Sequence, residues 1–135
     1  LVGLPRSGKT TWATDKGGDD FDPIVSKDAI RLALHGERFL KEREDEVHSI
    51  SRIMIHALFL AGHKVVVLDE TNTTVKRRNE CRSEHWSVRF KVFDTPVGEC
   101  LRRAALTDDT VIVPIIRKMA AQFEPLTPAE KMLEL

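Results

Sequence analysis

The sequence predicts an α/β fold: a parallel sheet flanked by helices, with a helical lid toward the carboxyl end. Three observations carry this. Short apolar stretches at residues 1–2, 23–25, 64–69 and 88–93 alternate with longer segments of helical period, the arrangement of a parallel sheet with crossover helices. Residues 64–69 read KVVVLD, nearly continuous in apolar side chains, as expected of a central strand covered on both faces. Residues 3–10 read GLPRSGKT, a complete G-x-x-x-x-G-K-[ST] string, which makes the predicted sheet one of P-loop NTPase type.

The spacing of that string has a mechanical reason. Glycines at its two ends let the backbone wrap a phosphate, so that successive N–H groups and the next helix start face an anion. Gly3, Pro5, Arg6, Ser7, Gly8, Lys9, Thr10 and Thr11 are the candidate ATP-binding residues. Lys9 reaches the outer phosphates and Thr10 places a hydroxyl for Mg²⁺. Before the string, Leu1-Val2 is an apolar stub shorter than an ordinary strand of about five or six residues, as expected if further residues precede it. After it, Thr11-Trp12-Ala13 continues as helix.

The remaining elements follow in order. Gly17-Gly18-Asp19-Asp20 breaks the first helix, and Pro23-Ile24-Val25 supplies a second strand. A helix opens at Ser26 or Lys27 and stops at His35-Gly36. A long helix from Glu42 to Gly62 carries apolar residues at Val47, Ile50, Met54, Ala57, Leu58 and Ala61, with Glu44, Asp45 and Glu46 favoured by the helix dipole in its first turn. Strand three ends in Asp69-Glu70-Thr71-Asn72. A basic helix over 75–84, an alternating strand over 88–93 and a helix over 97–105 come next. After a polar turn at 106–109, residues 111–123 read as helix with a regular start near Pro114. Thr127-Pro128-Ala129-Glu130 has the N-cap, N1 proline and N3 glutamate of a short final helix.

Length and balance bound the class. At 135 residues the chain fits a single domain, 1–135, with the lid at about 101–123. Lys+Arg and Asp+Glu are 21 each, so overall charge points to no nucleic-acid partner and any basic site is local. Cys81 and Cys100 lack metal-ligand spacing and read as free thiols of a reducing compartment. No apolar run reaches the roughly 18 residues of a membrane span, and a cytoplasmic protein with no membrane partner is expected. The five histidines show no convergent spacing and read as structural or surface residues.

In an open parallel sheet the ligand sits at the carboxyl ends of the strands, which is expected to bring the phosphate loop, Lys27-Asp28 and residues 69–72 to one crevice. Phosphoryl transfer needs positioning, charge neutralisation and a base for the incoming hydroxyl. Asp28 is the candidate base, with a helix-capping carboxylate as the competing role. Arg31 shares its helix face and is placed for a substrate phosphate. Asp69 and Glu70 are the candidate carboxylates for Mg²⁺, held directly or through water; which of them does so stays open. Thr71 and Asn72 offer groups to orient substrate. Arg77, Arg78 and Arg82 form a basic cluster suited either to a nucleic-acid backbone or to solvent, Arg78 being the candidate substrate contact. In the lid, Arg103, with Arg102 second, is the candidate for stabilising charge on the transferred group, so Asp28, Lys9 and Arg103 form the catalytic set.

Taken together, residues 3–13 (GLPRSGKTTWA), 26–31 (SKDAIR), 67–78 (VLDETNTTVKRR), 92–96 (VFDTP) and 100–125 resemble the polynucleotide 5′-kinase-like group of small P-loop kinases, built on an AAA-type ATP-binding domain. The resemblance implies that Lys9 and Thr10 bind ATP and Mg²⁺, that Asp28 takes the proton of a 5′-hydroxyl, that Arg31 contacts the neighbouring phosphate and that Arg103 closes from the lid. It implies DNA or RNA 5′ ends as partners. The chain departs from the group twice: Glu70 stands where Asp is common, and Leu106-Thr107 stands where a second lid arginine is often found. An acceptor that is a small-molecule alcohol, such as a nucleoside, sugar or sugar nucleotide, and a non-catalytic ATP-binding module are the alternatives.

Overall fold

The computed structural model describes residues 1–15 and 22–135; the helix break expected at Gly17-Gly18-Asp19-Asp20 lies outside them. The elements run β1 (Val2–Gly3), α1 (Lys9–Asp15), β2 (Ile24–Ser26), α2 (Lys27–His35), a 3₁₀ turn (Lys41–Arg43), α3 (Glu44–Leu60), β3 (Val67–Asp69), α4 (Val75–Glu80), β4 (Val92–Phe93), α5 (Val97–Ala105), α6 (Ile112–Ala121) and α7 (Pro128–Lys131). The chain packs as two compact units, one of residues 1–9 and 71–135, the other of residues 10–70.

In the first unit β1 and β4 pair in parallel, with Val2 opposite Val92 and Gly3 opposite Phe93. The expected six-residue strand over 88–93 is cut to two residues, because Phe90 exchanges backbone bonds with the chain end instead, its N–H on the Leu133 carbonyl and its carbonyl on the Leu135 N–H. Helices α5 and α6 form a hairpin whose apolar faces meet over a core of Leu4, Cys100, Ala104 and Ile116, with Leu101, Ile112, Met119 and Phe123 around it. Leu4 belongs to the phosphate loop, so burial of one apolar side chain fastens that loop to the hairpin. Helix α6 starts two residues before Pro114. Proline is tolerated in a first turn, where its missing N–H has no intrahelical acceptor to lose. Helix α4 stops at Glu80 rather than 84, and the Trp86 indole N–H donates to the Cys81 carbonyl it leaves uncovered, at 3.1 Å. The capping box of α7 forms as predicted, Thr127 and Glu130 each accepting from the other's backbone.

In the second unit β2 and β3 pair in parallel, Ile24 with Val67, Val25 with Leu68 and Ser26 with Asp69. The stretch over 64–69 yields a strand only from Val67, whose N–H donates to the Pro23 carbonyl at 2.9 Å; Val65, ahead of the pairing, is half exposed. The Ser26 hydroxyl caps α2 by accepting from the Ala29 N–H, and Gly36 closes it in the left-handed conformation. The buried stripe of α3 is Val47, Ser51 and Ile55. It replaces the expected stripe after Val47, since Met54 is exposed. Apolar residues occupy several faces of this helix, and packing against β2 and α2, which the local period does not encode, selects one. Both strand pairs are parallel and flanked by helices, an α/β fold as predicted.

Candidate functional site

The first unit holds the phosphate loop. At Gly3 an added Cβ would lie 2.8 Å from Ser7 Oγ and 3.0 Å from Phe93 Cβ, so the loop can fold over its own start only without a side chain there. Gly8, at φ +99, occupies backbone space that L side chains avoid. Arg6 adopts φ +65, an unfavourable choice for a non-glycine residue. Two tertiary contacts hold it there: Arg6 Nη2 bonds Asp109 Oδ2 at 2.7 Å, and its carbonyl accepts from Arg103 Nη1 at 3.1 Å. Thr95 donates to the Ser7 carbonyl at 2.9 Å.

Lys9 is buried, its ammonium donating to the Leu4 carbonyl at 2.6 Å and, at a longer 3.5 Å, to Ser7 Oγ. Arg103 Nε donates to Glu99 Oε1 at 2.7 Å. Glu99 also takes Arg102 on both oxygens, and the two guanidinium groups pull its carboxyl down to about 2. The structure therefore brings Arg6, Ser7, Gly8, Lys9 and Arg103 together as one cationic loop. Pro5 sits half-buried in the same loop.

The second unit begins with Thr10, whose hydroxyl donates to Asp69 Oδ2 at 2.7 Å. Thr11 is exposed on the first turn of α1. Next in sequence to Asp69, Glu70 takes a buried ion pair with Lys27, Nζ to Oε1 at 2.8 Å, and Lys27 also meets His48 Nδ1 at 3.3 Å. The second oxygen, Glu70 Oε2, is buried without a hydrogen-bond partner, a costly state for a carboxylate. Among the described residues no group of three or more His, Cys, Asp or Glu is placed to hold a metal by itself. Mg²⁺ characteristically takes one or two carboxylates and completes its shell with phosphate and water oxygens. The Thr10 hydroxyl and the Asp69 carboxylate, held together at 2.7 Å, fit that demand.

Asp28, in the first turn of α2, has a side chain 84% exposed and bonds Arg31 Nη1 through Oδ1 at 2.6 Å. Arg31 is largely covered. Its Nε and Nη2 donate to the two oxygens of Glu44, each at 2.8 Å, and hydrogen bonding to Glu44 is the main cause of its raised pKa. The helix cap that competed for Asp28 is supplied by Ser26, which leaves the carboxylate to Arg31.

Two residues expected to contact substrate, Arg78 and Asn72, are buried. Arg78 has no exposed surface; its guanidinium is spent on both Glu130 oxygens and on the carbonyls of Asn72, Glu124 and Pro125, so it ties α4 to the chain that follows α6. Its neighbours Arg77 and Arg82 remain exposed. Asn72 is also buried, its amide donating to the Leu1 carbonyl at 3.0 Å and its Oδ1 accepting from Cys81 Sγ. A left-handed φ of +45 accompanies that inward turn. Thr71 is half-buried, with its carbonyl taken by the Gly3 N–H. Sequence reasoning missed Thr95, Glu99 and Asp109, and it assigned no ion pair to Lys27 or Glu44. Only Glu99 carried a local signal, its i+3 and i+4 spacing to Arg102 and Arg103.

A family model described as an AAA domain matches residues 1–126.

Proposed function

The chain belongs to the AAA domain family, a P-loop NTPase-type family that includes kinases, and on that premise we propose that it transfers the γ-phosphate of ATP to the 5′-hydroxyl of a DNA or RNA end. The observation that carries this reading is the exposed Asp28 carboxylate held at 2.6 Å by Arg31, a proton acceptor open to an incoming hydroxyl.

The chemistry divides among this chain's residues. The acceptor oxygen attacks the γ-phosphorus as the bond to the β–γ bridging oxygen breaks and ADP departs; the hydroxyl proton passes to Asp28. Lys9 and the loop of Gly3, Pro5, Arg6, Ser7 and Gly8 hold the triphosphate, with Thr11 at the helix start. Thr10 and Asp69, with Glu70 in support, would hold Mg²⁺, which would supply positive charge to offset that of the phosphates. Arg103 stabilises charge on the group in transit. Arg31 and Thr71 orient the acceptor.

One observation favours a second reading. Burial of Arg78 removes a cation from the basic cluster on α4 that a nucleic-acid backbone would use, and a small-molecule alcohol such as a nucleoside, sugar or sugar nucleotide needs no such surface. Incubation with labelled ATP, Mg²⁺ and a 5′-hydroxyl oligonucleotide beside a panel of small alcohols separates the two. Asp28→Ala should keep nucleotide-dependent thermal stabilisation and lose transfer; full transfer by that variant would overturn the assignment of the base. Stabilisation by ATP with no transfer to any acceptor would make the protein a binding module.

A further inference from the structure

We propose that Glu44 is a positioning residue for this transfer, fixing Arg31 and, through it, the carboxylate of Asp28. The inference rests on the kinase reading above and adds to it a residue from a different helix. Glu44 is the first residue of α3, whereas Asp28 and Arg31 lie on α2.

Hydrogen-bond geometry ranks the contacts. An exposed pair such as Asp28 with Arg31 is weak alone, because a mobile side chain loses entropy when held and water screens the charges. The Asp28 side chain is 84% exposed, but that of Arg31 is 14% and that of Glu44 20%. Arg31 is held on its covered side by two parallel bonds of 2.8 Å to Glu44, the bidentate arrangement that fixes a guanidinium plane. The Phe39 ring lies 5.8 Å from the guanidinium carbon and bounds the plane on one face. With Nε and Nη2 committed to Glu44, Nη1 is the nitrogen left for Asp28, and it is the one that bonds it.

Donor counting shows how Arg31 can also serve the acceptor. Of the five guanidinium N–H groups, three are used in these bonds, and among the described residues two remain for an acceptor phosphate without release of either carboxylate. Glu44 therefore has two opposed effects: it steadies the base, and its charge offsets part of the attraction of Arg31 for an anionic acceptor.

Glu44→Gln separates these effects, since it keeps the shape and removes the charge. With an oligonucleotide acceptor, kcat should fall about tenfold while KM for the oligonucleotide falls severalfold and KM for ATP stays put. With an uncharged nucleoside acceptor the kcat loss should appear without the drop in KM. Glu44→Asp, which keeps the charge and withdraws it by one methylene, should restore the KM and only part of kcat. The Arg31 Nε–H proton should exchange slowly by NMR in the parent protein and fast in Glu44→Gln. Parental kcat and KM in Glu44→Gln, or losses in kcat that only follow a lowered Tm, would overturn the inference while the kinase reading stood. A parent protein that phosphorylates no hydroxyl would bring down both.

Discussion

The Thr10 hydroxyl donates to Asp69 Oδ2 at 2.7 Å, joining the first turn of α1 to the end of β3. Residues 59 positions apart thus present a hydroxyl and a carboxylate side by side. Asp69→Ala should leave stabilisation by ATP in EDTA unchanged and remove most of the added stabilisation by Mg²⁺. A tenfold weaker nucleotide complex corresponds to about 1.4 kcal/mol, readable as a lower Tm in thermal shift with ATP and Mg²⁺. An unchanged Mg²⁺ increment would place the metal elsewhere.

Lys9 lies buried on the Leu4 carbonyl, where its charge is concentrated inside the loop proposed to hold the triphosphate. Lys9→Ala should abolish the rise in Tm on adding ATP. Isothermal titration then distinguishes weakened binding from an altered fold, and near-parental affinity would refute the role given to this side chain.

Arg103 is held by Glu99 and by the Arg6 carbonyl. If it stabilises phosphoryl charge, Arg103→Ala should lower the transfer rate about 10³-fold or more with ATP affinity within a few-fold of the parent. Arg103→Lys should not rescue it, since an ammonium cannot reproduce the fork that bonds Glu99 and the loop together. A loss under tenfold in single-turnover transfer would remove Arg103 from the catalytic set.

The Arg78 guanidinium and the capping bonds of Thr127 draw the Glu130 carboxyl down to about 2 from an ordinary 4.5, against the opposing effect of burial. A carboxyl depressed in the folded state contributes stability that is fully present above its unfolded value and is lost as pH falls through its folded one. Acid unfolding should therefore steepen between about 4.5 and 2. Glu130→Gln should cost about 3 kcal/mol at neutral pH, as when one partner of a buried pair is removed, and should flatten that acid limb. Chemical denaturation at pH 7 and pH 3 measures both.

Much of the candidate site is legible locally. The phosphate-loop string, the α2 helix with Asp28 and Arg31 three apart, and the capping box at Thr127 each depend on neighbours within a few residues, so spacing alone reveals them. Arg78 shows the limit of such reading. A basic run on a short helix looks solvated, and only the fold supplies the Glu130 carboxylate and three carbonyls that take it inside. In sequence Glu44 is simply an acidic residue that the helix dipole favours; its partnership with Arg31 needs α2 and α3 packed together.

The order of residues by itself determined the α/β class, the loop that wraps an anion and the helix ends that carry the candidate base, because backbone sterics and short-range hydrogen bonding act within a turn or two of chain. Tertiary structure alone decided which face of α3 is buried, how far each strand extends, and which arginines are structural. Those outcomes depend on partners distant in sequence, whose charges and carbonyls become neighbours only when the chain is folded.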